Sequence, residues 1–273
     1  MSELKDLQAA ELQILKDVAK VCEDHHIAYS LAYGSLLGAV RHKGFIPWDD
    51  DVDILMNADD IERFAKAMGD EYKNLYFIQT PKAEPYSGRI HTMVRKNGTL
   101  MLTKSETETD QKNQGIGIDI FPVIGISNND KIKQKQLDLL LSYQNLRYKH
   151  IWNCDEGSPA KKLIKRIKEC QIRIQESRVW SRVRRMGRDE KNTRCCIVGV
   201  QFAKWFSEET RKKEKAVCPK KLLWDGLRKY PFEDTAFYGP EDYDGVLKRF
   251  YGDDYMTPRK YNVHVEDYSK VIL

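Results

Sequence analysis

Four carboxylates fall within five positions, Asp49, Asp50, Asp51 and Asp53, with Val52 the one interruption. Like charges this close repel one another unless cations hold them, so the leading reading is a divalent metal site. Carboxylate oxygens are hard ligands. In this number they suit Mg2+ or Mn2+ bound together with substrate phosphates. From Asp51 to Leu55 acids alternate with apolar residues. A strand has period two, which predicts Asp51 and Asp53 on one strand face, about 7 Å apart and able to share a metal. Asp50 falls on the opposite face if the strand begins early and ranks lower. A solvated acidic turn is the plain alternative.

Two further features bear on the same chemistry. Asp119 lies in Gly117-Ile118-Asp119-Ile120-Phe121, where Ile116, Ile118 and Ile120 share one strand face and Asp119 takes the other. An acid in so apolar a strand is costly unless it is paired or metal-bound. It either forms a structural salt bridge or sits beside Asp51 and Asp53, as a metal ligand or as a base toward an acceptor hydroxyl. Gly34-Ser35 supplies the complement: glycine lets the backbone approach a ligand, and the serine hydroxyl with helix-start N–H groups can hold phosphate oxygens.

The elements that must carry these residues follow from periodicity. Leu4, Leu7, Ile14, Leu15, Val18 and Val21 recur at helical spacing behind Ser2, predicting an amphipathic helix over 3–25. A strand is expected over 27–33, a short helix from Gly34 to about His42, and a loop marked by Gly44 and Pro47. The acidic strand is expected over 51–56. Asp59 with Glu62 reads as a capping box for a helix through Met68. Strands are expected over 76–80, 89–95, 99–103 and 116–123. Beyond Pro122 the pattern turns charged and helical over 131–152 and 161–187, the second opened by Ser158-Pro159.

The chain has 273 residues, 41% of them hydrophobic, enough for one large domain or a core with a sizeable insertion. It contains no apolar run of about 18 residues, and its opening residues lack the basic-then-apolar order of a signal peptide. A soluble, cytoplasmic protein is the expectation. The six cysteines, Cys22, Cys154, Cys170, Cys195, Cys196 and Cys218, show no C-x-x-C pair and read as reduced structural thiols. The net charge of +5 is local, since Lys161 to Lys191 alone carries twelve Lys/Arg against four Asp/Glu. In that segment Leu163, Ile167, Cys170 and Ile174 form one stripe, and Val179, Val183 and Met186 continue on a shifted face. A helix packed on its own domain accounts for this. The basic excess also suits contact with an anionic membrane surface or a phosphate-rich acceptor.

A strand, Gly-Ser, a short helix, an Asp-apolar-Asp strand and a later third acid together resemble the nucleotidyltransferase superfamily pattern. The run from Tyr33-Gly34-Ser35 through Arg41-His42-Lys43-Gly44 and Pro47-Trp48-Asp49-Asp50-Asp51 to Ile54 resembles the LicD family more closely. That family includes bacterial phosphocholine transferases and fukutin-type phosphosugar transferases. Tyr230-Pro231-Phe232-Glu233-Asp234 and Tyr251 to Met256 also look like its C-terminal segments.

The resemblance implies an α/β fold, with a nucleotidyltransferase-like mixed sheet flanked by helices over 1–125. The change of pattern beyond Pro122 points to a helical module over 126–226, followed by a C-terminal segment, 227–273, that packs back on the core. The resemblance further implies metal-dependent transfer of phosphocholine from CDP-choline to a sugar hydroxyl of a cell-envelope glycan precursor, lipopolysaccharide or teichoic acid in type and lipid-linked. Asp51, Asp53 and Asp119 would be catalytic, and with Asp49 would hold Mg2+ or Mn2+. Arg41, Lys43 and Arg95 are candidate phosphate contacts beside Gly34 and Ser35. Choline is a quaternary ammonium met by aromatic faces, for which Trp48 and Tyr33 are the local candidates. His91 and His264 read as structural, and His42, close to the acids in sequence, ranks only slightly above them.

Other readings remain open. A nucleotidyltransferase proper would attach NMP and release pyrophosphate, and a different CDP-linked alcohol phosphate such as ribitol phosphate could be the donor. A metal-binding glycosyltransferase is disfavoured by the Gly-Ser element upstream. A nucleic-acid module on the basic helices leaves the acids unexplained, so no nucleic-acid partner is expected.

Overall fold

The computed structural model describes residues 2–104, 106–108, 112–149, 159–198, 217–258 and 268–273. The elements run α1 (Ser2–Asp24), β1 (Tyr29–Leu31), α2 (Tyr33–Arg41), β2 (Asp53–Asn57), α3 (Ile61–Glu71), β3 (Tyr76–Gln79), β4 (Thr92–Lys96), β5 (Leu100–Thr103) and β6 (Gly117–Ile126). Then come α4 (Asp130–Lys149), α5 (Pro159–Gly187), β7 (Arg194–Ile197), β8 (Val217–Pro219), α6 (Lys220–Trp224), β9 (Leu227–Phe232), β10 (Thr235–Pro240), α7 (Tyr243–Tyr251) and β11 (Tyr268–Ile272). This is a mixed α/β fold.

The long strand β6 organises the sheet. Parallel β2 lies on one edge with Asp53 opposite Asp119, and antiparallel β1 lies outside β2. The other edge is shared by β4, against residues 117–120, and β7, against residues 123–126. Strand β3 pairs beyond β4, and β8 beyond β7. Successive strand residues point to opposite faces, and the burial follows that rule. Val123, Cys195 and Ile197 enter the main core, where α1 contributes Leu7, Ile14, Leu15 and Val18 and α3 contributes Phe64 and Met68. Ile124, Ile126, Cys196 and Val198 enter a smaller core closed by Leu137, Leu140 and Tyr143 of α4 and Val183 of α5. Helices therefore cover both faces of this part of the sheet.

Two short pairs attach to this frame. Strand β11 pairs antiparallel with β5, and β9–β10 form a hairpin joined at Glu233-Asp234. The hairpin is tied to the loop after α2, where Phe45 N–H donates to Glu233 Oε1 at 2.9 Å and Glu233 N–H donates to the Lys43 carbonyl at 2.8 Å.

Several expectations are corrected. The strand bearing the acids starts at Asp53, so Asp49, Asp50 and Asp51 occupy the loop before it and strand alternation does not govern them. Asp60, not Asp59, is the residue before α3, and Asp59 instead receives Arg184 and Arg188. Residues 126–226 are not wholly helical, because β7 and β8 extend the sheet. On α5 the first stripe faces solvent: Leu163, Ile164, Ile167 and Ile174 are exposed, whereas Val183 is buried. Cys22, Cys195, Cys196 and Cys218 are buried free thiols and Cys170 is exposed; Cys154, Ser158 and His264 lie outside the described residues.

Gly125 and Gly187 let α5 seat on β6. A Cβ on Gly125 would come within 2.1 Å of the Gly187 carbonyl oxygen, whereas a Cβ on Gly69 of α3 would meet nothing within 4 Å. Urea unfolding should separate the two: Gly125→Ala loses about 1–3 kcal/mol through overpacking, and Gly69→Ala gains about 0.5–1 kcal/mol from helix propensity. Equal stabilities for the two variants would contradict this packing.

Candidate functional site

The acidic loop is fixed through its backbone. The Gln8 amide of α1 donates to the Asp49 carbonyl at 2.8 Å, and Asp49 N–H donates to the Ile46 carbonyl at 2.9 Å. At the loop's end Asp119 N–H donates to the Val52 carbonyl at 2.8 Å, and Asp53 N–H donates to Ser35 Oγ at 2.9 Å. The start of α2, the start of β2 and the middle of β6 therefore converge at one place. Tyr33 opens α2 with φ of 40°, a left-handed value that a bulky residue rarely adopts and that recurs at functional sites.

Gly34 and Asp49 define a close fit. A Cβ on Gly34 would lie 2.6 Å from Asp49 Oδ2, so the absent side chain is the space that the Asp49 carboxylate fills. Asp49, Asp50 and Asp51 can each bring one carboxylate oxygen within 4.8 Å of the other two. All-oxygen donors gathered on one loop, beside a glycine that accommodates them, fit a hard divalent cation of the Mg2+ or Mn2+ class.

The electrostatics divide the acids into two kinds. Burial, then Asp51 and Asp50, push Asp49 up to about 8. Burial, then Asp51 and Asp119, push Asp53 well above the usual carboxylate range. Asp119 goes the other way. Burial works to raise it, but His91, with Arg89 and Arg95 behind, outweighs burial and holds it below that range. The His91 Nε2 to Asp119 Oδ1 distance is 2.8 Å. His91 also lies against the Phe121 ring at 5.0 Å. The loop bearing it is latched from α4, where fully buried Arg147 donates to the Arg89 carbonyl at 3.0 Å and the Pro81 carbonyl at 2.9 Å.

Of the residues singled out by sequence, Gly34, Ser35, Asp49, Asp51, Asp53 and Asp119 meet here. Asp50 joins them, buried, and its charge helps raise the Tyr268 hydroxyl. Arg41 ends α2, donates to the Tyr255 carbonyl at 2.7 Å and lies in the field of Asp49. Trp48 is half-buried and meets His42 edge-on. Lys43 is exposed, with its ammonium on the Val40 carbonyl at 3.0 Å. The Tyr33 ring packs edge-on to Phe121 and Phe250. Arg95 is corrected: it is buried, donating to Gln79 Oε1 and the Gly115 carbonyl, so it supports Asp119 from below instead of facing a phosphate from solvent.

Sequence reasoning missed four groups. His91 was read as structural, and nothing in its neighbours marks it. Tyr251 and Tyr268 arrive from distant segments into the field of the site carboxylates. Glu11 did carry a signal, being a lone acid between Leu7 and Ile14 on the apolar face of α1.

Residues 26–152 match the model of the LicD/FKTN/FKRP nucleotidyltransferase domain, a span containing every acid of the acidic loop, Asp53, His91 and Asp119. The chain is 34% identical over 131 residues to lipopolysaccharide cholinephosphotransferase LicD of Haemophilus influenzae, covering 47% of each chain. It is 48% identical over 50 residues to an uncharacterized protein of Rickettsia prowazekii, covering 18% of this chain and 19% of that one. The match thus spans about half the length of the Haemophilus protein.

Two outcomes are expected. Gly34→Ala meets the movable end of Asp49 rather than backbone, so the melting temperature should stay near that of the wild type while Mn2+ affinity falls about tenfold or more; unchanged affinity would contradict the fit. Asp49 is raised in the folded state, so its contribution to stability is fully present below its unfolded value of 3.8 and is lost as pH rises through about 8. Asp49→Asn should therefore make the metal-free protein less sensitive to pH between 6 and 8 in urea melts, and an identical pH slope would refute the assignment.

Proposed function

On the premise that residues 26–152 are a LicD-family nucleotidyltransferase domain, we propose that this protein transfers phosphocholine from CDP-choline to a sugar hydroxyl of a cell-envelope glycan precursor, releasing CMP. The observation that carries the reading is the register of Asp53 with Asp119 on adjacent parallel strands, under the Asp49–Asp51 loop, in a chain similar to a lipopolysaccharide cholinephosphotransferase.

The division among the acids suits the chemistry. Mg2+ or Mn2+ on Asp49, Asp51 and Asp53 would neutralise the diphosphate and the departing CMP. Asp119 stays anionic at neutral pH and is oriented by His91, so it takes the proton of the sugar hydroxyl. The hydroxyl oxygen bonds to the choline-bearing phosphorus as the bond from that phosphorus to the CMP oxygen breaks. Gly34 and the start of α2 admit phosphate beside the loop, and Arg41 adds positive charge at the far end of that helix. The half-buried Trp48 next to Asp49 offers a face for the trimethylammonium group.

A lipid-linked acceptor, of lipopolysaccharide or teichoic acid type, would place the protein at a membrane surface. Among the described residues no helix is long and apolar enough to cross a membrane. Leu163, Ile167 and Ile174 nevertheless form an exposed stripe on one face of α5 amid basic residues, which suits shallow insertion between anionic headgroups.

Nucleotide release should be measured with CDP-choline, CDP-ribitol and NTPs in the presence of a glycan-precursor extract. The expected result is CMP from CDP-choline that requires Mg2+ and falls about a hundredfold or more in Asp53→Asn and Asp119→Asn, a barrier increase of roughly 2.7 kcal/mol. CMP from CDP-ribitol alone would reassign the donor, and pyrophosphate from an NTP would favour nucleotidyl transfer. Sedimentation with phosphatidylglycerol vesicles should be lost in Leu163→Ser/Ile167→Ser/Ile174→Ser. If the triple variant sediments like the wild type, the membrane contact is wrong.

A further inference from the structure

Glu11 sits on the buried face of α1 between Leu7 and Ile14, and it is fully buried at 0% exposure. Among the described residues neither of its carboxylate oxygens has a hydrogen-bond partner. One helical turn earlier, Gln8 reaches the Asp49 and Ile46 carbonyls, so this face of α1 lies directly on the acidic loop. The charges that act on Glu11 are Asp51, Asp50, Asp49 and Asp119, in that order, and all are negative. Burial, reinforced by those four, pushes it well above the usual carboxylate range.

A leucine or methionine here would continue the apolar stripe, whereas a buried carboxyl without a partner is destabilising. A fully buried carboxyl without a partner, set against a loop of like charge, needs a proton or a cation from solution to offset its charge. We propose that Glu11 is a cation-holding carboxylate of this site, acting with Asp50 and Asp51 from the α1 side to bind a divalent ion of the Mg2+ or Mn2+ class. The inference rests on the reading of the acidic loop as a metal site, and it adds to that site a residue outside residues 26–152. The site thereby extends beyond the span matched by the family domain.

Mn2+ binding to the full chain, followed by electron paramagnetic resonance of free Mn2+, tests it without reference to turnover. Glu11→Gln keeps the shape and removes the charge. The expected result is an Mn2+ affinity lowered about tenfold or more, with a melting temperature in the absence of metal equal to or above that of the wild type and a smaller rise on adding Mn2+. Gln8→Ala is the control for mere displacement of the loop, and Asp53→Asn the control for the metal site itself. If Glu11→Gln binds Mn2+ like the wild type while Asp53→Asn does not, the role of Glu11 is refuted and the metal site stands. If Gln8→Ala weakens binding as much as Glu11→Gln, Glu11 acts through loop position and the proposal is likewise overturned. If the wild type itself binds no Mn2+, the underlying reading falls with it. Should Glu11→Gln not fold, Glu11→Asp decides the matter: it keeps the charge on a shorter arm, and affinity equal to the wild type would count against a ligand role.

Discussion

Mutual repulsion among buried carboxylates is the constraint around which this molecule is arranged. Glu11, Asp50 and Asp53 are buried, with Asp49, Asp51 and Asp119 beside them, and among the described residues the cation that the polypeptide sets against Asp49 is Arg41. What it adds is backbone restraint. Gln8 holds the Asp49 carbonyl, Ser35 takes the Asp53 N–H, the Val52 carbonyl takes the Asp119 N–H, and Glu233 ties the loop upstream at Phe45. The first three of these contacts hold backbone atoms of the acidic segment or its neighbours and leave the aspartate side chains out of the restraint. Backbone restraint of this kind holds the acids in fixed places without neutralising them.

The exception is Asp119, and the exception explains the architecture. His91, Arg89 and Arg95 surround it, so it stays ionised where Asp49 and Asp53 tend to hold protons. Pushing the affinities of neighbouring acids apart is how one site obtains separate roles from one residue type. The cations that do this depend on distant parts. Arg95 is anchored by Gln79 and the Gly115 carbonyl, and the loop of Arg89 and His91 is latched by Arg147 from α4, beside Glu176 of α5. The helices over 130–187 therefore reach the site through one buried guanidinium, apart from any role of the exposed α5 stripe.

Much of this was legible in the residues. The acids of the loop, the Gly34-Ser35 turn and Asp119 are marked by local pattern, because a buried acid in an apolar strand and a run of acids are anomalies that short-range physics exposes. The helices and strands up to β6 likewise follow from period and punctuation. Their boundaries were less certain: the acidic strand begins two residues later than alternation suggests, since the three aspartates before it are held by side-chain and loop contacts and not by a ladder.

What the sequence by itself determined is the set of candidates: carboxylates gathered in one loop, a Gly-Ser turn beside them, a third acid in an apolar strand, and a likeness that runs through these stretches into the C-terminal segments. The tertiary structure alone decided the pairing of those parts. Register placed Asp53 opposite Asp119, a missing Cβ at Gly34 made room for Asp49, and packing brought Glu11, His91 and Tyr268 from elements far apart in the chain. The physical reason is that local pattern encodes what a residue costs to bury, whereas the partner that offsets that cost is set by which distant segment the core brings against it.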